Sequence, residues 1–172
     1  MSRRVGRYAL LAAAITAGGA LVWLSQAVDC LVVRQIDTPG SPVRRVAVLA
    51  PGDAFHVAWR HSVEREAWIE TFKNIDHGLW LTQTRFKTFG AGVPAHAGRR
   101  TRLVDGWVVM SGIDRAVPDL TYQAAAAENY RIRIGHGPWQ ALSASDAAPI
   151  LSFAINTRRR GAVIWNGLFD HD

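Results

Sequence analysis

Phe55-His-Val-Ala-Trp-Arg-His-Ser-Val63 alternates large apolar side chains with polar or small ones, and this alternation decides how the chain is read. Successive side chains of a strand point to opposite faces, so Phe55, Val57, Trp59, His61 and Val63 share one face while His56, Ala58, Arg60 and Ser62 share the other. The next run offers Trp68 and Phe72 as its large apolar residues, with Glu70 between them. A four-residue turn, Glu64 to Ala67, would set Val63 opposite Trp68, His61 opposite Glu70 and Trp59 opposite Phe72. A three-residue turn would face Arg60 with Glu70 and send Trp68 and Phe72 to the other side, against the hydrophobic pattern. The expectation is an inward His61–Glu70 pair in which the carboxylate fixes the imidazole tautomer. Such a pair also fits a purely structural role, locking the register. Ser62 then faces away from His61, which argues against a Ser-His nucleophilic dyad and leaves Ser62 to bond backbone or ligand.

Turn signals recur on both sides of this stretch: Pro51-Gly52-Asp53, Asn74 to Gly78, Gly90-Ala91-Gly92, Asp105-Gly106 and Gly135-His136-Gly137-Pro138. Between them lie runs of strand length: 45–50, 55–63, 68–73, 79–89, 107–111, 130–134 and 163–165. About seven to nine short strands at such spacing predict an all-β fold, mainly an antiparallel sandwich or barrel. The alanine-rich stretch Leu120 to Asn129, preceded by Pro118-Asp119, predicts one short helix near 120–129.

Ahead of the β pattern, Arg3, Arg4 and Arg7 precede 21 residues without a charge, 8–28. As a helix this segment would span about 31 Å, enough for a bilayer. Basic residues on its N-terminal side predict a cytoplasmic N-terminus and an extracytoplasmic remainder. The length and Trp23 suit a retained anchor; small Ser25 and Ala27 also suit a signal peptide cut after Ala27, which would release the protein. Asp29 stands where a lipoprotein signal wants a small residue, so lipidation of Cys30 is discounted. The predicted organisation is thus 1–28 as signal anchor or signal peptide, 29–44 as linker or irregular first strand, and 45–172 as one β domain.

The net charge is +6, but the three leading arginines account for half of it. The dense basic runs, Arg99-Arg100-Thr101-Arg102 and Arg158-Arg159-Arg160, carry no interleaved aromatic residues for base stacking, so no nucleic-acid role is read from them; solvated loops or an anionic membrane surface fit better. A single cysteine excludes an intramolecular disulfide and a thiolate metal cluster. His96, His136 and His171 lack mutual ligand spacing, and no nucleotide loop or hydrolase elbow occurs, so neither metal nor cofactor is expected. Asp114 and Arg115 read as solvated.

Phe89-Gly90-Ala91-Gly92-Val93-Pro94 closes the longest strand-like run. Two glycines one residue apart permit a nest of inward N–H groups able to hold an anion; a tight corner, with Pro94 fixing φ, explains the same residues. The order His61-Ser62-Val63, Glu70, then Gly90-Ala91-Gly92-Val93-Pro94 behind one apolar segment resembles an uncharacterised bacterial family, domain-of-unknown-function family 1850. Its members are often encoded beside TRAP-type transporters of the TAXI class, which use an extracytoplasmic solute receptor and a membrane permease. The resemblance marks His61, Ser62, Glu70, Gly90, Ala91, Gly92 and Pro94 as a ligand-binding or interaction site. It implies a membrane-anchored periplasmic accessory or binding module, with the transporter permease or solute receptor as partner. The alternative is an extracytoplasmic hydrolase with His61 as general base, Glu70 as its orienter and the Gly90–Gly92 amides as oxyanion donors. No nucleophile is evident, so the expectation leans away from an enzyme.

Overall fold

The computed structural model describes residues 2–88, 94, 96–143 and 148–169. In chain order these form helix α1 (Ser2–Ser25), then strands β1 (Ala27–Gln35), β2 (Val43–Val48), β3 (Ala54–Arg60), β4 (Ala67–Ile75), β5 (Gly78–Phe86), β6 (Arg100–Val104), β7 (Trp107–Ala116), β8 (Leu120–Gln123), β9 (Arg131–Ile134), β10 (Gln140–Ala141) and β11 (Ile150–Arg159), and helix α2 (Arg160–Phe169). Eleven strands replace the expected seven to nine, in two sheets ordered β2-β1-β11-β8 and β10-β9-β3-β4-β5-β7-β6. The all-β, antiparallel expectation holds. The chain divides into two compact units, residues 29–156 and residues 1–28 with 157–172. Residues 29–44, read from the sequence as linker or irregular first strand, contain most of β1, whose pairing with β2 shifts register between Val33 and Arg34. Within 29–44, the continuous apolar run Cys30 to Val33 is buried on both faces, as an inner strand requires.

In the β unit the sheets face each other across one core. Leu31, Val33, Leu151 and Phe153 meet Phe55, Val57, Phe72, Leu81 and Ile132 there. A second cluster, Trp68, Phe86, Val108 and Met110, lines the same inner face of the larger sheet. Two reversals follow the turn chemistry: Asp76 and His77 both take positive φ between β4 and β5, as do Asp105 and Gly106 between β6 and β7. Gly98 leads into β6 with φ +71°, and a Cβ there would lie 2.5 Å from the Ser111 carbonyl oxygen, so only glycine lets the chain pass.

Two elements differ in kind from their prediction. Residues 120–129 form β8 and a single 3-10 turn over Ala126–Glu128, ended by Asn129 in the left-handed region. Pairing of Leu120–Gln123 with β11 outweighs the helix propensity of the alanines. Residues 163–165 lie in α2 rather than a strand, and the ten-residue β11 is an element that the turn-to-turn parsing passes over.

The helical unit holds α1 and α2. The Arg160 N–H donates to the Gln26 carbonyl at 2.9 Å, and its guanidinium lies 4.5 Å from the centre of the Trp23 ring. Gly161 approaches Leu24 closely: a Cβ would stand 3.3 Å from the Leu24 carbonyl. The α-helix ends at Ser25, so 18 of the 21 uncharged residues are helical. Among the described residues no helix is long and apolar enough to cross a membrane.

Candidate interaction site

The expected His61–Glu70 pair does not form. β3 ends at Arg60 and β4 starts at Ala67, joined by six residues, and the register sets Trp59 opposite Trp68, Val57 opposite Glu70 and Phe55 opposite Phe72. This shifts the pairing by four residues while keeping every side chain on its predicted face, because four is a multiple of the strand period. Aromatic stacking decides between the two registers. Trp59 stacks on Trp68 at 5.4 Å and Phe55 on Phe72 at 5.1 Å, whereas the expected register would pair aromatics only at Trp59 and Phe72. Val63, expected to face Trp68, is exposed instead.

His61 belongs to the connecting loop. Its N–H donates to the Glu66 carbonyl, its carbonyl accepts from Arg65, and its Nδ1 accepts the Glu64 N–H at 3.3 Å. The imidazole stacks on Trp68 at 5.4 Å. The cavity it lines with Trp68, Phe86 and Lys87 measures about 10 Å³, room for about one water. Ser62 is exposed in the same loop, and Pro94 is half-buried. Gly90, Ala91 and Gly92 lie outside the described residues.

Glu70 is held by a different partner, the phenol of Tyr122 on β8, which donates to its carboxylate. The bond joins the two sheets across the core. Burial pushes the Glu70 carboxyl above its ordinary range, while the Tyr122 hydrogen bond and Arg115 pull it back. Burial, and then the Glu70 charge, push the Tyr122 phenol well up, so it stays protonated and donates. Tyr130 stacks on Trp59, and burial followed by Glu128 pushes its phenol up to about 12. The arrangement is a polar clamp inside an aromatic cluster. Removing the donor by Tyr122→Phe leaves a buried carboxylate unmatched and is expected to cost about 2–3 kcal/mol at pH 8. Because the Glu70 pKa is raised in the folded state, that cost shrinks as pH falls and the carboxyl takes up its proton. Glu70→Gln keeps an acceptor for Tyr122 without the charge and should not lower stability at pH 8. Urea titrations of the three proteins at pH 8 and pH 5 check both.

The chemistry that sequence reading missed lies on the opposite, outer face of the larger sheet. Six residues from six strands stand side by side in one cross-strand row: Arg133, His56, Thr71, Gln83, Ser111 and Arg100. A parallel row runs Arg131, Ala58, Ile69, Arg85, Val109 and Arg102. Together they hold five arginines and no carboxylate. Trp107 lies beneath Arg85 and Lys87, with ring distances of 4.9 and 4.5 Å, and Trp139 beneath Arg133 at 4.8 Å. Cation–π contacts orient these side chains but supply no net negative charge. Arg99, next to the row, is matched by an acid, Asp114 at 2.6 Å, so Asp114 is an ion-pair partner and not simply solvated. The clue in the sequence was the alternation Arg131-Ile-Arg133 and Arg100-Thr-Arg102, which puts both arginines of each pair on one strand face.

His56 records the field of this face. Burial, then Arg133, Arg85 and His136, lower its pKa from 6.5 to about 4. The unfolded chain takes up a proton that the folded imidazole refuses, so stability falls as pH drops through 6.5 and levels off below about 4. Discounted for a half-exposed ring, the loss amounts to about 1–2 kcal/mol. His56→Gln is expected to remove that component, measured as a smaller difference in urea midpoint between pH 7 and pH 4.5 than in the parent protein.

Residues 55–139 match the model of a domain of unknown function, DUF1850. This part of the chain belongs to the DUF1850 family. Neither a curated protein nor a solved structure matches the chain. The DUF1850 segment begins at β3 and ends at Trp139, so it contains the entire arginine-bearing face together with Glu70 and Tyr122. Strands β1, β2 and β11, which complete the smaller sheet, lie outside it.

Proposed function

We propose that this DUF1850 protein is a membrane-anchored, extracytoplasmic binding module that assists a TAXI-type TRAP transporter, meeting the permease or the solute receptor through the outer face of its larger sheet. The observation that carries the reading is the pair of cross-strand rows with five arginines and no carboxylate, a surface that favours an acidic partner. The anchor in this reading comes from the sequence pattern alone, the uncharged segment 8–28 behind Arg3, Arg4 and Arg7, since no described helix is itself long and apolar enough to cross a membrane. Trp23, stacked with Arg160, suits the membrane boundary, where an aromatic ring and a cation both find partners. Catalysis is not part of this reading. The hydrolase alternative depended on Glu70 as the orienter of His61, and Glu70 is committed to Tyr122.

The test is co-purification from detergent of the tagged full chain with the transporter components. Association is expected, and Arg102→Glu with Arg131→Glu, both on exposed positions, should weaken it strongly. No association, together with unchanged solute uptake in a deletion strain, would overturn the proposal.

A further inference from the structure

The outer face is not uniformly flat. Where β9, β3, β4 and β5 adjoin, it sinks into a hollow of about 560 Å³ lined by His56, Thr71, Lys73, Gln83, His136 and Asp53. That volume suits a small molecule. Its donors are the Lys73 ammonium, the Gln83 amide and His56, whose Nδ1 shares a hydrogen bond with Thr71 Oγ1 at 3.0 Å. Nε2 of that ring has no protein partner among the described residues. Asp53 is the single carboxylate in the lining, and its Oδ2 already accepts the Ala50 N–H at 3.0 Å.

Beside His56 stand Arg133 on β9 and Arg85 on β5; both disfavour a charge on His56, and Arg133 adds to the effect of burial in disfavouring the charge of Arg85. The Nε of Arg133 is buried with no hydrogen-bond partner. A buried donor left unmatched costs on the order of 1–3 kcal/mol, and neighbouring cations with no counter-charge add to the cost. Folding alone gives no return for this arrangement. Neither arginine lines the hollow, but an oxyanion seated there would offset the positive field around His56 and would supply negative charge to Lys73 and acceptor atoms to Gln83 and His56.

We infer that this hollow binds a small solute through a carboxylate or phosphate group. The inference rests on reading the outer face as the working surface, but it assigns that face a small ligand as well as a protein partner.

The test uses the full chain in detergent micelles, titrated separately with succinate and with inorganic phosphate, while the ring resonances of His56 are followed by NMR over pH. Binding should move those resonances saturably and raise the His56 pKa, since the anion offsets Arg133, Arg85 and the nearby His136 and Lys73, with Asp53 opposing. Lys73→Gln, which removes the ammonium from the lining, should weaken binding by about tenfold or more, and Arg133→Gln, which acts only through the field at His56, should weaken it less. A response to succinate alone assigns the site to carboxylates, and a response to phosphate alone assigns it to phosphates. No saturable shift with either anion up to about 10 mM, or an affinity in Lys73→Gln equal to that of the parent protein, would overturn the inference. Transporter association that persists without anion binding would sink this inference alone; anion binding without association would sink only the accessory reading.

Discussion

Phe55→Ala is expected to lower the stability of the β unit by about 3–5 kcal/mol, the largest effect of any single core truncation here. Phe55 is completely buried on the inner face of β3 and lies between two further rings, Phe72 on β4 at 5.1 Å and Phe153 on β11 at 6.0 Å. It therefore joins neighbours within its own sheet and packs one sheet onto the other. Removing the ring leaves a cavity bounded by strands on both sides, and strands held in ladders cannot move in to fill it. Against a total stability of roughly 5–15 kcal/mol for a protein domain, that loss is about a fifth or more. Phe55→Leu, which keeps most of the volume, should cost about 1–2 kcal/mol. Urea unfolding followed by tryptophan fluorescence checks the series, with the midpoint falling and the slope unchanged.

Asn74→Ala is expected to cost about 2–4 kcal/mol through a different mechanism, the loss of buried polar matching. The Asn74 side chain on β4 is fully buried, and its amide donates to the Asp29 carboxylate at 2.9 Å and to the Leu49 carbonyl at 2.8 Å. Asp29 is itself buried and also meets the exposed His77 ring at 2.8 Å. Truncation takes a donor from a buried carboxylate and a partner from a buried carbonyl, and alanine offers nothing in return. Because much of the cost lies in the stranded carboxylate, Asp29→Ala combined with Asn74→Ala should be less destabilising than the sum of the two. A double-mutant cycle by urea unfolding measures this, and strict additivity would show that the two side chains act independently.

These effects also show what could be read before folding. Alternation in 55–63 placed Phe55, Val57 and Trp59 inward and His56 outward, and the structure agrees at each position. The same alternation could not place His61 against Glu70, since a shift of four residues leaves every face unchanged. Turn residues marked the reversals at Asp76-His77 and Asp105-Gly106 because positive φ is a local requirement. The alanines after Tyr122 signalled a helix, and their β8 neighbours were overruled by a partner strand about thirty residues away in the chain. The arginines of the outer face come from strands β5, β6 and β9, so no window of sequence contains them together.

The sequence by itself determined the class of fold, the inward faces of 55–59 and 68–72 and the turns at Asp76-His77 and Asp105-Gly106, because side-chain period and backbone sterics act over a few residues. Only the tertiary structure decided that Glu70 meets Tyr122 rather than His61, and that five scattered arginines share one surface. Both depend on register and strand order, which are settled by ring stacking and ladder pairing between segments far apart in the chain.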